Sequence, residues 1–96
     1  MKFKWDENKR QINLRKHGID FIEAHEIFKN PLLSKIDTRY YGEERWIGLG
    51  ITHRCVILAV YAEQNEETIR IISIRKATKP ERKTYEKYLS NRLDKS

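Results

Sequence analysis

The sequence predicts an α+β fold in a single domain, with two N-terminal helices, an antiparallel sheet and one C-terminal helix. Helix-like segments occupy residues 6–29, whereas the segments from residue 32 onward alternate apolar and polar side chains with the period of a strand. Short strands at hairpin spacing favour antiparallel pairing. The 96 residues suffice for one domain, 1–93, and we expect the tail at 94–96 to be frayed.

The N-terminal part of the domain is predicted from its capping residues. Residues 3–5 alternate apolar and polar side chains and are expected to form a short strand. Asp6 then caps a first helix that runs to His17, and Gly18 ends it in the left-handed conformation that glycine tolerates. A second helix, 20–29, begins at once and stops at the Asn-Pro pair that follows it.

Four strands are expected after the second helix. The second of these carries Gly48 and Gly50 on one face, so either a packed helix or a ligand backbone can approach that face closely. The third is nearly all apolar, which indicates a central position in the sheet. We expect the strands at 33–36, 45–51, 55–62 and 68–76.

The last quarter of the chain combines a clear helix start with most of the charge. Thr78 and Glu81 form a capping box with proline in the first turn, and Tyr85 belongs to the apolar stripe of the helix that follows. The segment 70–92 holds eight basic and two acidic residues, so its charge of +6 equals that of the whole chain. This balance fits a surface for a polyanion, or for a partner that imitates one, and it equally fits a solvated Lys-rich helix face.

Several classes of protein are excluded by what the sequence lacks. No apolar stretch is long enough to cross a bilayer and no signal-peptide core follows Met1, so we expect a cytoplasmic protein without a membrane partner. Cys55 is the single cysteine and lies in an apolar run typical of a buried thiol. The histidines are dispersed and the glycines fit no phosphate-loop pattern, so we expect neither a metal nor a cofactor.

The junction between the last strand and the last helix is the candidate phosphate site. Arg75 and Lys76 end the strand, and Arg82 lies one turn into the helix, whose unpaired N–H groups favour an anion at its start. The alternative is structural, with Arg75 paired to Glu44 or Glu81 so that strand and helix are held together. The pattern by itself leaves both interpretations open.

Segments along nearly the whole chain resemble the BrnT family of bacterial toxins. The sequence departs from the family pattern at Ile74, where a small residue or Met is usual, and this removes no functional group. The resembling segments are WDENK at 5–9, NLRKHG at 13–18, GEER at 42–45 and RIISIRKAT at 70–78, followed by Glu81, Arg82 and Tyr85.

The resemblance implies a type II toxin with a RelE-like fold that cleaves RNA to inhibit translation and growth. It also implies a BrnA-like ribbon-helix-helix antitoxin, whose dimer bridges two toxins in a heterotetramer. In that complex the antitoxin, and not the toxin, contacts operator DNA. These expectations rest on the resemblance, whereas the residues themselves indicate a basic single domain with a phosphate-binding junction.

Metal-independent cleavage of RNA can use the ribose 2′-OH as its nucleophile. Such a reaction needs a base, a cation for the crowded phosphate and an acid for the departing oxygen. We assign Arg75 and Arg82 to the scissile phosphate and His17 to proton transfer, with a helix-capping histidine as the alternative. Arg45 is assigned as a charge stabiliser and Tyr85 as a contact to ribose or base.

Further cations are expected to bind the RNA backbone without sequence preference. The competing hypothesis is a non-catalytic basic module that binds nucleic acid or an acidic protein. No helix-turn-helix pattern supports specific recognition of duplex DNA, because the cations lie at a strand–helix junction rather than on one recognition helix. The RNA-binding residues we assign are Arg70, Lys76, Lys79 and Lys83.

Overall fold

A five-stranded sheet separates two helical layers in the computed structural model, which describes residues 1–39 and 42–94 apart from the side chain of Asp94. The strands are β1 (Lys2–Lys4), β2 (Leu33–Ile36), β3 (Trp46–Ile51), β4 (Val56–Glu63) and β5 (Thr68–Lys76). The helices are α1 (Glu7–His17), α2 (Ala24–Ile27) and α3 (Lys79–Asp94), so the α+β class is confirmed. Asp94, the first residue of the expected frayed tail, ends α3, and residues 95–96 lie outside the described part of the chain.

The sheet is mixed, with the strand order β1-β5-β4-β3-β2. The antiparallel pairing expected from hairpin spacing is confirmed for β2 to β5, whereas β1 pairs parallel with β5. Hairpin spacing constrains only consecutive strands. Because β1 and β5 are separated by the rest of the sheet and by α1 and α2, no local signal determines their relative direction.

Local capping forms the first helical layer. The Asp6 carboxylate accepts a hydrogen bond from the backbone N–H of Lys9 at 3.1 Å, and Gly18 ends α1 with φ 71°, as predicted. The second predicted helix is shorter than expected, because a 3₁₀ turn precedes the four residues of α2. A Cβ on Gly50 would lie 2.7 Å from Cβ of Ile27 in α2. This glycine therefore lets a helix pack closely on the sheet, which is the first of the two alternatives expected for the glycine face.

A β-bulge in β5 reverses which side chains share a face. Val60 pairs with Ser73 but Tyr61 pairs with Ile71, so Ile72 is the extra residue. Simple alternation would place Ile74 on the face opposite Ile71. In the structure both are buried in the main core, on the side of α1 and α2.

The bulge also places Arg70 and Arg75 on the same side of the sheet. Their partners in β4 are Ala62 and Leu58, which lie four residues apart and therefore share a face. That face carries α3 and a smaller core that contains Leu58 and Tyr85. Among the described residues, no helix is both long and apolar enough to cross a bilayer.

Asn13 of α1 acts as a partner for the outer edge of β5 beyond the end of β1. Its amide Nδ2 donates to the carbonyl of Ile74 at 2.8 Å, and its Oδ1 accepts from the N–H of Ile74 at 3.2 Å. The same Nδ2 donates to the carbonyl of Ile19 at 3.1 Å. A buried side chain thus supplies the two hydrogen bonds that a neighbouring strand would have made.

Candidate functional site

One end of the α3 face of the sheet carries a row of cations. Lys4 in β1 lies opposite Arg70 in β5, and Arg70 lies opposite Ala62 in β4. The β3–β4 register continues to Arg45, the residue before β3, and places it opposite the same Ala62. Because cross-strand neighbours share a face, Lys4, Arg70 and Arg45 project in one row.

Glu43 joins the two arginines of this row. Its Oε2 accepts a hydrogen bond from Nε of Arg45 at 3.2 Å and another from Nη2 of Arg70. Burial raises the pKa of Glu43, but the hydrogen bonds from Arg45 and Arg70 outweigh it and leave the pKa below its usual value. The carboxylate is therefore ionised at neutral pH and holds two guanidinium groups side by side.

The row and Glu43 form part of a polar pocket of about 500 Å³, which we call the arginine pocket. Asp6 and Lys9 at the start of α1 and Gln64 after β4 complete its polar lining, and α3 contributes no residue. The lining contains four cations and two carboxylates. A concave site with this balance concentrates positive potential and attracts anions.

A second basic pocket, of about 420 Å³, lies at the opposite end of β5, and we call it the end pocket. Arg54 reaches it from the β3–β4 turn, Lys76 from the end of β5 and Arg82 from α3. Nη1 of Arg54 lies 3.7 Å from Oε1 of Glu23, and Nη1 of Arg82 donates to the Ala77 carbonyl at 3.4 Å. Lys76 and Arg82 therefore meet as expected, but with Arg54 in place of Arg75.

Arg75 makes the structural pair that the sequence left open. Its Nη1 and Nη2 donate to Oε1 and Oε2 of Glu81 at 2.8 and 3.0 Å. Oε1 of Glu81 also accepts from the N–H of Thr78 at 2.8 Å, which confirms the capping box. The hydrogen bonds from Arg75 lower the pKa of Glu81 to about 2. Arg75 thus ties β5 to α3, and the Glu44 alternative is not the pairing observed.

Tyr85 cannot contact RNA in this fold, contrary to the role assigned to it. Its side chain has 0% exposed surface, and its hydroxyl donates to the carbonyl of Pro31 at 2.6 Å. Burial raises the pKa of the phenol. The apolar stripe that includes Tyr85 is confirmed, and the residue belongs to the core beneath α3.

The other predicted site residues do not converge on one phosphate. The β4 partners of Arg70 and Arg75 lie four residues apart, so the two arginines are separated by roughly 13 Å along the sheet. His17 is the partly exposed last residue of α1 and lines neither basic pocket. Lys79 and Lys83 are exposed one turn apart on α3. The sequence placed the phosphate site at the strand–helix junction, whereas the structure divides the cations between the two ends of β5.

One group of described side chains has the composition of a metal site. Glu23, Glu26 and His53 each offer a ligand atom, and these atoms lie within 4.8 Å of one another. Nδ1 of His53 lies 2.8 Å from Oε1 of Glu26, so a hydrogen bond accounts for this contact without a metal. Sequence spacing did not reveal the group, because the histidine lies far along the chain from the two glutamates.

Comparison with known protein families identifies the family to which this chain belongs. The model of a family described as the ribonuclease toxin BrnT of type II toxin–antitoxin systems matches residues 5–81, which is most of the chain. This chain belongs to the BrnT toxin family. The matched segment contains Arg45 and Arg70, whereas Arg82 and Tyr85 lie beyond it. The family is one of ribonuclease toxins that have an antitoxin partner, which confirms the class expected from the sequence.

A solved BrnT structure has the same fold. The crystal structure of the ribonuclease toxin BrnT from Brucella abortus superposes with a TM-score of 0.62 at 28% sequence identity. The match covers 82% of this chain and 99% of the other. Comparison with curated proteins gave no match.

Two residues important for the pockets were missed in the sequence. No sequence pattern assigns a role to Glu43, which lies in the GEER segment, or to Arg54, which lies between the predicted strands 45–51 and 55–62. The partner of Glu43 in β5 lies 27 positions away, so no local period connects them. The useful signal for Glu43 was its position two residues before Arg45, because neighbours at i and i+2 share a face of an extended segment.

Proposed function

We propose that this BrnT-family toxin cleaves RNA in the arginine pocket, without a metal, by attack of the ribose 2′-OH on the adjacent phosphate. The observation that carries the proposal is the pair Arg45 and Arg70, held side by side by one carboxylate in a concave site. Two guanidinium groups can bind two phosphate oxygens and offset the charge that develops in the transition state. The nucleophile belongs to the substrate, so the protein supplies only binding and proton transfer.

Glu43 is the proposed acceptor of the 2′-OH proton. Its lowered pKa makes it a weak base while both arginines bind it. A bound phosphate takes over those hydrogen bonds and places a second negative charge beside the carboxylate, and both changes raise the pKa. The base therefore becomes stronger when the substrate arrives. We assign the ammonium of Lys4, opposite Arg70, as the group that donates a proton to the departing 5′-oxygen as its bond to phosphorus breaks.

The proposed antitoxin is a BrnA-like ribbon-helix-helix protein. Its dimer would bridge two toxins in a heterotetramer and make the contacts to operator DNA, while this chain acts on RNA in the cytoplasm. The support is the family's toxin–antitoxin class together with the basic segment 70–92. Acidic or helix-terminal groups on a partner would complement that segment and accelerate association at low salt.

The proposal is tested with purified chain and a labelled single-stranded RNA in EDTA. We expect fragments that end in a 2′,3′-cyclic phosphate or a 3′-phosphate. We expect no cleavage after a 2′-deoxynucleotide, in which hydrogen replaces the 2′-OH. Arg45→Ala and Arg70→Ala should each lower kcat/KM about 10²–10³-fold, as for loss of one donor to a developing oxyanion. Arg15→Ala removes an exposed arginine from α1 and serves as the matched control.

Three results would count against the proposal, each against a different part. Cleavage that stops in EDTA and returns with a divalent cation would exclude the metal-free reaction. Products with 3′-hydroxyl ends would exclude attack by the 2′-OH. Full activity in a folded Arg45→Ala/Arg70→Ala variant would exclude the arginine pocket as the site.

A further inference from the structure

The end pocket has the charge of an anion site and lies apart from the arginine pocket. Its three cations, Arg54, Lys76 and Arg82, come from three separate elements and face one cavity of about 420 Å³. The rest of its lining is small or apolar. All three cations are exposed, so an anion in solution can reach them.

The charges of the end pocket are poorly balanced by the protein. Within residues 1–39 and 42–94, the contact of Arg54 with Glu23, at 3.7 Å, is the one ion pair that reaches any of the three cations. That distance is long for a charge-assisted hydrogen bond. Arg82 donates to a peptide carbonyl, which satisfies a donor without neutralising the charge. The arginine pocket differs, because Glu43 there bonds both arginines.

The two pockets are too far apart for one phosphate and well spaced for one RNA strand. Because of the bulge, the β4 partners of Arg70 and Lys76 lie five residues apart, or roughly 17 Å along the sheet. Stacked nucleotides advance about 3.4 Å each along a helical strand, so this distance corresponds to at most about five nucleotides.

We infer that the end pocket binds a backbone phosphate of the same RNA strand that is cut in the arginine pocket, up to about five nucleotides from the cut. The inference rests on the proposed function for its substrate. It adds a second binding site for the RNA strand, a minimum length of RNA for tight binding and a role for Arg54. Phosphate is favoured over an acidic peptide because the arginine pocket at the other end of β5 is proposed to bind RNA, and the two arginines of the end pocket can bind phosphate oxygens.

The test measures binding separately from cleavage. Fluorescent 2′-O-methyl RNAs of three and twelve nucleotides cannot react through the 2′-OH, and their dissociation constants are measured by anisotropy over a range of salt. The variant Arg54→Ala/Lys76→Ala/Arg82→Ala should bind the twelve-nucleotide RNA roughly fivefold more weakly at 0.1 M salt, because one phosphate contact on a single strand contributes about 0.7 to the salt slope. That slope should fall by about 0.7, and binding of the three-nucleotide RNA should be unchanged.

A matched control and a milder variant make the result specific. Lys16→Ala/Lys29→Ala/Lys87→Ala removes three exposed cations from other places and should change the affinity for both RNAs by a similar small factor. Arg82→Gln alone should lower the slope by less than about 0.7 and weaken only the twelve-nucleotide RNA, which keeps the test valid if the triple variant does not fold.

Each outcome bears on one of the two proposals. Equal weakening of both RNAs by the end-pocket variant, or no weakening, would overturn the inference while the proposed cleavage stands. So would unchanged RNA binding with a weaker affinity for the antitoxin. Length-dependent binding that the variant loses, in a chain that cuts no RNA, would support the inference and refute the proposed function.

Discussion

The link between Arg75 and Glu81 predicts how acid weakens this protein. The pKa of Glu81, about 2, lies far below its ordinary value of 4.5. Without solvent screening, this difference corresponds to roughly 3 kcal/mol of stabilisation. The Glu81 side chain is 26% exposed and that of Arg75 is 38% exposed, so solvent screens the pair. We therefore expect Glu81→Gln to lower the free energy of unfolding by about 1–2 kcal/mol at pH 7.

The substitution separates the ion pair from the helix cap. Glutamine can still accept the hydrogen bond from the N–H of Thr78, so the capping box is retained. Because the folded pKa of Glu81 is depressed, the stabilisation is complete above the unfolded pKa of 4.5 and is lost as the pH falls toward 2. The difference between wild type and variant should therefore disappear near pH 2.

Urea denaturation followed by circular dichroism at pH 7 and at pH 2.5 measures this difference. Glu86→Gln, an exposed glutamate on the same helix, is the control and should change stability by less than about 0.5 kcal/mol. Equal stability of wild type and Glu81→Gln at pH 7 would refute the reasoning. A deficit of the same size at pH 2.5 would also refute it, since the loss would then not come from charge.

Two further substitutions test the fold beneath the pockets. Asn13→Ala should lower the free energy of unfolding by about 2–4 kcal/mol, because it leaves the N–H and C=O of Ile74 without partners. The control Asn8→Ala changes an exposed asparagine and should cost under about 0.5 kcal/mol. A loss below about 1 kcal/mol for Asn13→Ala in urea denaturation would contradict this expectation. Tyr85→Phe removes the hydrogen bond to Pro31 and should cost about 1 kcal/mol with kcat/KM for RNA unchanged. A tenfold loss of cleavage in the folded Tyr85→Phe variant would restore a catalytic role for the hydroxyl.

Interactions between residues that are close in sequence determine much of this fold. The capping box at Thr78 is confirmed atom by atom, and Gly18 ends α1 in the left-handed conformation. These features involve residues at most four positions apart, so the sequence contains them directly. The strands β3 to β5 were equally visible, and the charge of the segment 70–92 showed that the chain has a basic segment.

The tertiary structure decided which cations meet. The bulge at Ile72 placed Arg70 and Arg75 on the same face, against the simple period of two. Parallel pairing of β1 brought Lys4 beside Arg70, and Glu43 reached the same arginine from 27 positions away. Strand direction, bulges and long-range ion pairs depend on the packing of distant segments. The sequence could therefore indicate that a basic surface exists, but only the folded chain shows that it is divided between the two ends of β5.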